Sequence, residues 1–129
     1  MTDKLHVLLA DDHQPLLVAL ARLLAFDCEV VGSVTTVAEL LDAVNSFLPD
    51  IVVVDLNMPD GSGIAACRHI KQIHPFMQVI LLTADDDEDI RAAAMEAGAA
   101  DFVSKSKARS QLPLAIRAIS LTSGISNAV

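Results

Sequence analysis

Apolar residues fall into two alternating rhythms along the chain. LHVLLA (5–10), CEVVGSV (28–34), DIVVVD (50–55), QVILLT (78–83) and ADFVS (100–104) are short, nearly unbroken apolar runs. Their length and composition predict buried strands. Between them the apolar positions recur at helical spacing. Leu16, Leu17, Leu20, Leu23 and Leu24 share a face after Pro15, which suits a first helical turn because its missing N–H is no loss there. Thr36 and Glu39 have the spacing of a capping box for VAELLDAVNSFL, which Pro49 ends. Ile64, Cys67, Ile70 and Ile73 line a helix that begins near Ser62 or Gly63 and stops at Pro75. The stretch from Asp86 to Ala97 reads as a helix with Gly98 just past its end. The last helix begins near Ser110 and runs through LPLAIRAISL. Five buried strands separated by amphipathic helices predict an α/β fold, a doubly wound parallel sheet with both faces covered. Residues 1–121 form one domain, and 122–129 read as a tail or the start of an interdomain linker.

Composition narrows this picture. A chain of 129 residues, 53% of them hydrophobic, suits one domain with a real core. The net charge is −8, which argues against direct nucleic-acid binding by this segment, since phosphate neutralisation needs Lys and Arg. The absence of Trp and Tyr argues against a base-stacking surface. No apolar run has the length of a membrane span, and residues 1–12 lack the features of a signal peptide. The expectation is a cytoplasmic protein with no membrane partner. Cys28 and Cys67, like His6, His13, His69 and His74, show no metal-ligand spacing and read as packing or ordinary surface residues.

The chemistry gathers around VVVDLNMPDGSG (52–63). A carboxylate that ends a buried strand is costly unless it is paired or used. In open α/β sheets the ligand site lies beyond the carboxyl ends of the strands. Asp11 and Asp12 follow the first strand, Asp55 ends the third, Thr83 ends the fourth and Lys105 follows the fifth. Three carboxylates, a hydroxyl and an ammonium should therefore meet at one edge. Ionised carboxylates tolerate each other only beside a cation, and an all-oxygen donor set favours Mg2+, with Mn2+ as its substitute, over Zn2+. Such a group suits a transferred phosphoryl, with Asp55 as nucleophile. Plainer readings stand beside these. Asp12 fits an N-cap, Asp55 a turn residue, Thr83 a strand former, Lys105 a surface lysine and Phe102 a core residue. Asn57 and Gly63 fit turn chemistry. The acidic run Asp85–Asp89 fits a charged first helical turn. Convergence at one edge favours the chemical reading for Asp12, Asp55, Thr83 and Lys105, and the structural reading for Gly63.

Asp11–Asp12 after strand one, Asp55 after strand three, Met58–Pro59 with Gly63, Thr83–Ala84, and Phe102 three residues before Lys105 resemble the receiver domain of two-component response regulators. The resemblance covers about residues 4 to 121. Asp12–His13 and the stretch from Lys105–Ser106 to Ala115–Ile116–Arg117–Ala118 look most like receivers that precede a LuxR-type helix-turn-helix domain. It implies a flavodoxin-like (βα)5 fold with strand order 2-1-3-4-5. It implies a signalling domain, not an enzyme, whose Asp55 accepts a phosphoryl group from a sensor histidine kinase. It implies Mg2+ held by Asp12, Asp55 and the Asn57 backbone carbonyl, with Asp11 assisting through water. Lys105 and Thr83 would contact the phosphoryl oxygens. Thr83 would then move inward and Phe102 would turn from exposed to buried. The face of the fourth helix, fifth strand and fifth helix would meet a second copy or an output domain that controls transcription. Two positions depart from the commoner pattern. Ser106 follows the lysine where many receivers have a proline and a cis peptide, and Phe102 stands where tyrosine is more frequent. Two other readings compete: a degenerate receiver that binds without phosphorylation, and a haloacid-dehalogenase-like phosphatase. The phosphatase wants an acid–base Asp two residues after its nucleophile, and position 57 is Asn.

Overall fold

The computed structural model describes residues 4–123. Five parallel strands form one sheet: β1 (Leu5–Ala10), β2 (Cys28–Val34), β3 (Ile51–Asp55), β4 (Gln78–Thr83) and β5 (Asp101–Ser104). Their order is β2-β1-β3-β4-β5, as the resemblance implies. The five α-helices are α1 (Gln14–Leu24), α2 (Val37–Phe47), α3 (Gly63–Ile73), α4 (Glu88–Glu96) and α5 (Ala108–Ser123). Alternation along each strand divides the core. Val7, Leu9, Ile51, Val53, Ile80 and Leu82 face the layer of α1 and α5. Leu8, Val52, Val54, Val79, Leu81 and Phe102 face α2, α3 and α4. Central strands buried on both faces need these continuous apolar runs.

Helix ends follow local chemistry. Thr36 caps α2, its hydroxyl accepting from the Glu39 N–H at 3.1 Å. The Glu39 carboxylate completes the box one residue early, accepting from the Thr35 N–H at 3.0 Å. Ser62 caps α3, and Asp87 caps α4 by accepting from the Asp89 and Ile90 amides. The acidic run is thus largely helix-start chemistry, and the predicted start at Asp86 moves to Glu88. Gly98, at φ 101°, closes α4 with paired bonds from Gly98 and Ala99 to the Met95 and Ala94 carbonyls, a Schellman arrangement that favours glycine.

The last helix differs from expectation. A 3-10 turn at Lys105–Lys107 leads into α5 at Ala108, and the helix runs on through Pro113. The expected start near Ser110 is thus two residues late. At Pro113 the helix tolerates one missing donor. No peptide bond among the described residues is cis, the Lys105–Ser106 bond included. Residues 124–129, most of the expected tail, lie outside the described residues.

Candidate functional site

The carboxyl ends of β1, β3 and β4 bring polar side chains into an otherwise apolar sheet. Asp11, Asp55 and Thr83 are 0%, 4% and 1% exposed, and they are the buried polar residues of the described core. Each sits at its strand's last rung or one residue beyond, so the ladder holds its backbone. Asp11 extends β1 through its N–H to the Val34 carbonyl at 3.1 Å. Lys105 opens the turn after β5 and is half-buried. Its Nζ stands 2.9 Å from Asp11 Oδ2 and 3.1 Å from Asp55 Oδ2. One ammonium therefore bridges two buried carboxylates.

The remaining oxygens have backbone partners. Asp11 Oδ1 accepts from the His13 N–H at 2.9 Å, and Asp55 Oδ1 accepts from the Asn57 N–H at 3.3 Å. Among the described residues Asp11 Oδ2 has no aligned hydrogen bond, and its neighbour is the Lys105 charge. Asp12 is exposed, yet one of its carboxylate oxygens lies within 4.8 Å of oxygens from Asp11 and Asp55. It is not the α1 cap, since that position belongs to His13. Burial pushes the Asp55 carboxyl above its ordinary range. The Lys105 hydrogen bond opposes this and the Asp11 charge adds to it. Burial pulls Lys105 down, but the carboxylates of Asp11 and Asp55 beside it outweigh that and hold it above its usual value.

Gly63 brings the acceptor loop tight against β3. Its N–H donates to the Leu56 carbonyl at 2.7 Å. A Cβ there would overlap the Asp55 carbonyl oxygen and stand 2.9 Å from Leu56 Cα. Its requirement is close backbone approach, as the structural reading expects.

Thr83 and Phe102 are placed differently. The Thr83 hydroxyl donates to the Asp85 carbonyl at 2.7 Å and accepts from the Asp85 N–H at 3.1 Å. It is occupied by the β4–α4 loop. Phe102 is 2% exposed, so the exposed position that the resemblance implies before phosphorylation is not the one seen. Arg91 covers its ring, with Cζ 5.1 Å from the centroid. Arg91 and Asp60 have roles that sequence reasoning missed. Arg91 sits on α4, eleven residues from the ring it covers. Asp60 reads from sequence only as part of a turn.

The family is decided by comparison. Residues 7–117 match the response regulator receiver domain. The chain belongs to that family. It is 34% identical over 113 residues to the DNA-binding transcriptional activator DevR/DosR of Mycobacterium tuberculosis, covering 86% of this chain and 52% of the relative. The chain thus spans about half the length of the curated relatives it matches. Among solved structures, a LuxR-family two-component response regulator from Aurantimonas superposes with a TM-score of 0.86 at 32% identity, covering 91% of this chain and 85% of that one. The isolated receiver domain of RcsB from Salmonella enterica, solved with the phosphomimetic BeF3-, gives 0.86 at 26% identity over 93% of this chain and 91% of that one. The receiver is of the kind found in LuxR-family response regulators, a signalling module associated with transcription regulation. No helix among the described residues is long and apolar enough to cross a membrane.

Proposed function

We propose that this receiver is a phosphoacceptor whose Asp55 takes a phosphoryl group from a phosphohistidine on a sensor kinase. One observation carries the reading: a buried carboxylate at the end of β3 lies 3.1 Å from an ammonium and beside two further carboxylates. An Asp55 oxygen attacks phosphorus. A P–O bond forms as the donor's P–N bond breaks, and the imidazole leaves with the electron pair. Lys105 needs little movement to meet the charge on the incoming phosphoryl oxygens, because it already bridges Asp55 and Asp11. Thr83 would release the Asp85 carbonyl in order to donate to the same group.

The donor set fits a hard divalent cation. Lys105 bridges two of the three clustered carboxylates, which leaves two negative charges when all are ionised. Asp12, Asp55 and the Asn57 backbone carbonyl would hold Mg2+, with Asp11 assisting through water. Bound there, the ion supplies charge neutralisation and orients the phosphoryl oxygens. The output would pass through the face of α4, β5 and α5 to a second copy or a DNA-binding domain of the whole protein, and the setting is cytoplasmic.

The test is intact mass after incubation with Mg2+ and acetyl phosphate, with Asp55→Asn in parallel. One added phosphoryl group on the parent alone is the expected result. Equal labelling of both proteins would remove Asp55 from its role. No labelling of either, with Mg2+ binding intact, would favour a receiver that binds its partners without phosphorylation.

A further inference from the structure

The loop after the acceptor strand is held from outside the sheet. Asn57–Ser62 folds into a short antiparallel hairpin, pairing Asn57 with Ser62 and Met58 with Gly61. Asp60 lies at its tip and reaches α2. Its Oδ1 accepts from the Val37 N–H at 2.7 Å and its Oδ2 from the Ala38 N–H at 3.1 Å. These are the first two amides of α2, which have no partner within the helix. Thr36 and Glu39 already cap that helix from its own side. The Asp60 grip comes from more than twenty residues away in the chain. The Val37 and Ala38 bonds hold the Asp60 carboxyl below its ordinary range.

The grip continues toward the chemistry. A Cβ on Gly61 would stand 3.4 Å from Val37 Cγ2, so the hairpin lies against α2. At the hairpin's base the Asn57 N–H donates to Asp55 Oδ1, and the Gly63 N–H donates to the Leu56 carbonyl. A continuous line of contacts thus runs from α2 through Asp60 and the hairpin to the Asp55 carboxylate. We infer that Asp60 is a positioning residue for the acceptor site: by tying the hairpin to α2 it fixes the Asn57 amide and carbonyl beside Asp55. The inference rests on the phosphoacceptor reading of Asp55. The competing view is that Asp60 only adds a second cap to α2.

Thr36 separates the two views, because its cap bond lies within the helix segment itself, from the Glu39 N–H to the Thr36 hydroxyl. The experiment compares the full chain with Asp60→Ala, Asp60→Asn and Thr36→Ala. It follows Tm, amide exchange across residues 57–62, and the rate of labelling by acetyl phosphate with Mg2+ well below Tm. Thr36→Ala should lower Tm by about 4 °C, and Asp60→Ala should lower it comparably. Only Asp60→Ala should speed hairpin exchange and slow labelling by about tenfold. Asp60→Asn should fall between, since its one carbonyl oxygen replaces two acceptors. Parent-like exchange and labelling in Asp60→Ala would overturn the inference, as would equal slowing in Thr36→Ala. If the parent itself does not label, the phosphoacceptor reading fails, and exchange alone still decides whether Asp60 holds the hairpin.

Discussion

The proposed acceptor cluster and the proposed switch pair, Thr83 at the same sheet edge and Phe102 two rungs inside it opposite Leu81, are built to different degrees. Lys105 touches both Asp11 and Asp55, and both carboxylates are buried. Thr83 and Phe102 are just as buried, yet their bonds lead away from the cluster. The Thr83 hydroxyl is engaged by Asp85 and the Phe102 ring by Arg91, so both are tied to the loop and helix that follow β4. The energetic scales differ too. Removing the ammonium shared by two buried carboxylates would leave both uncompensated, at a cost of about 3–5 kcal/mol. A neutral hydrogen bond or an exposed cation–π contact contributes about 1 kcal/mol. The cluster is the stiff part and the Thr83–Phe102 pair the soft part, an arrangement that, under the proposed function, would let phosphorylation at Asp55 move Thr83 without dismantling the site.

Gly63→Ala should break the stiff side most severely. The added methyl meets backbone at Asp55 and Leu56, which cannot yield as a flexible side chain does. The expected cost is about 3 kcal/mol, at the upper end for overpacking, with phosphoryl uptake falling alongside. Chemical denaturation measures the first and acetyl phosphate labelling the second. A loss below about 0.5 kcal/mol, the scale of an ordinary surface change, would show slack where the structure has contact.

Asp55→Asn should act in the opposite direction on stability. The Asp55 carboxyl is held above its ordinary value of 3.8 by burial and by Asp11, against the pull of Lys105. A carboxyl with a raised folded pKa favours its neutral form in the fold. Its charge therefore costs stability above the folded pKa, and that cost disappears as pH falls to 3.8 and below. Asn carries no such cost. Asp55→Asn should stabilise the chain at pH 7, because Lys105 keeps its partner in Asp11, with the gain narrowing in acid. Thermal unfolding from pH 7 to pH 4 follows it. A gain that grew on acidification would reverse the sign of this electrostatic account.

Local signals explain which parts were legible in the sequence. β2 and β4 match their apolar runs residue for residue, and Thr36, Ser62 and Gly98 mark helix ends through chemistry within a few residues. The cluster was legible because parallel strands place their carboxyl ends on one edge, so order along the chain becomes proximity in space. The misses are side chains whose partners lie on other elements. Nothing near Asp60 indicates that α2 needs its carboxylate. Nothing near Phe102 indicates that Arg91 covers it. The start of α5 falls before the expected Ser110, because the 3-10 turn at Lys105–Lys107 runs straight into the helix at Ala108.

Arg91→Ala tests the soft side alone and should have the smallest effect. The guanidinium covers the Phe102 ring and lies 3.4 Å from the Phe102 carbonyl, while its contact with Asp86 is 3.7 Å and exposed. Exposed ion pairs contribute little, so the ring contact carries most of the expected loss of about 1 kcal/mol. The discriminating readout is the Phe102 ring resonances. If Arg91 holds the ring inward, its removal should shift and broaden them, while the amide of Asn57 beside the cluster stays at its parent position. Unchanged ring signals would mean that packing among Leu81, Ala94 and Ala99 in the same core layer holds Phe102. The burial of this position would then be built into the hydrophobic core, and the softness of the switch would reside in Thr83 alone.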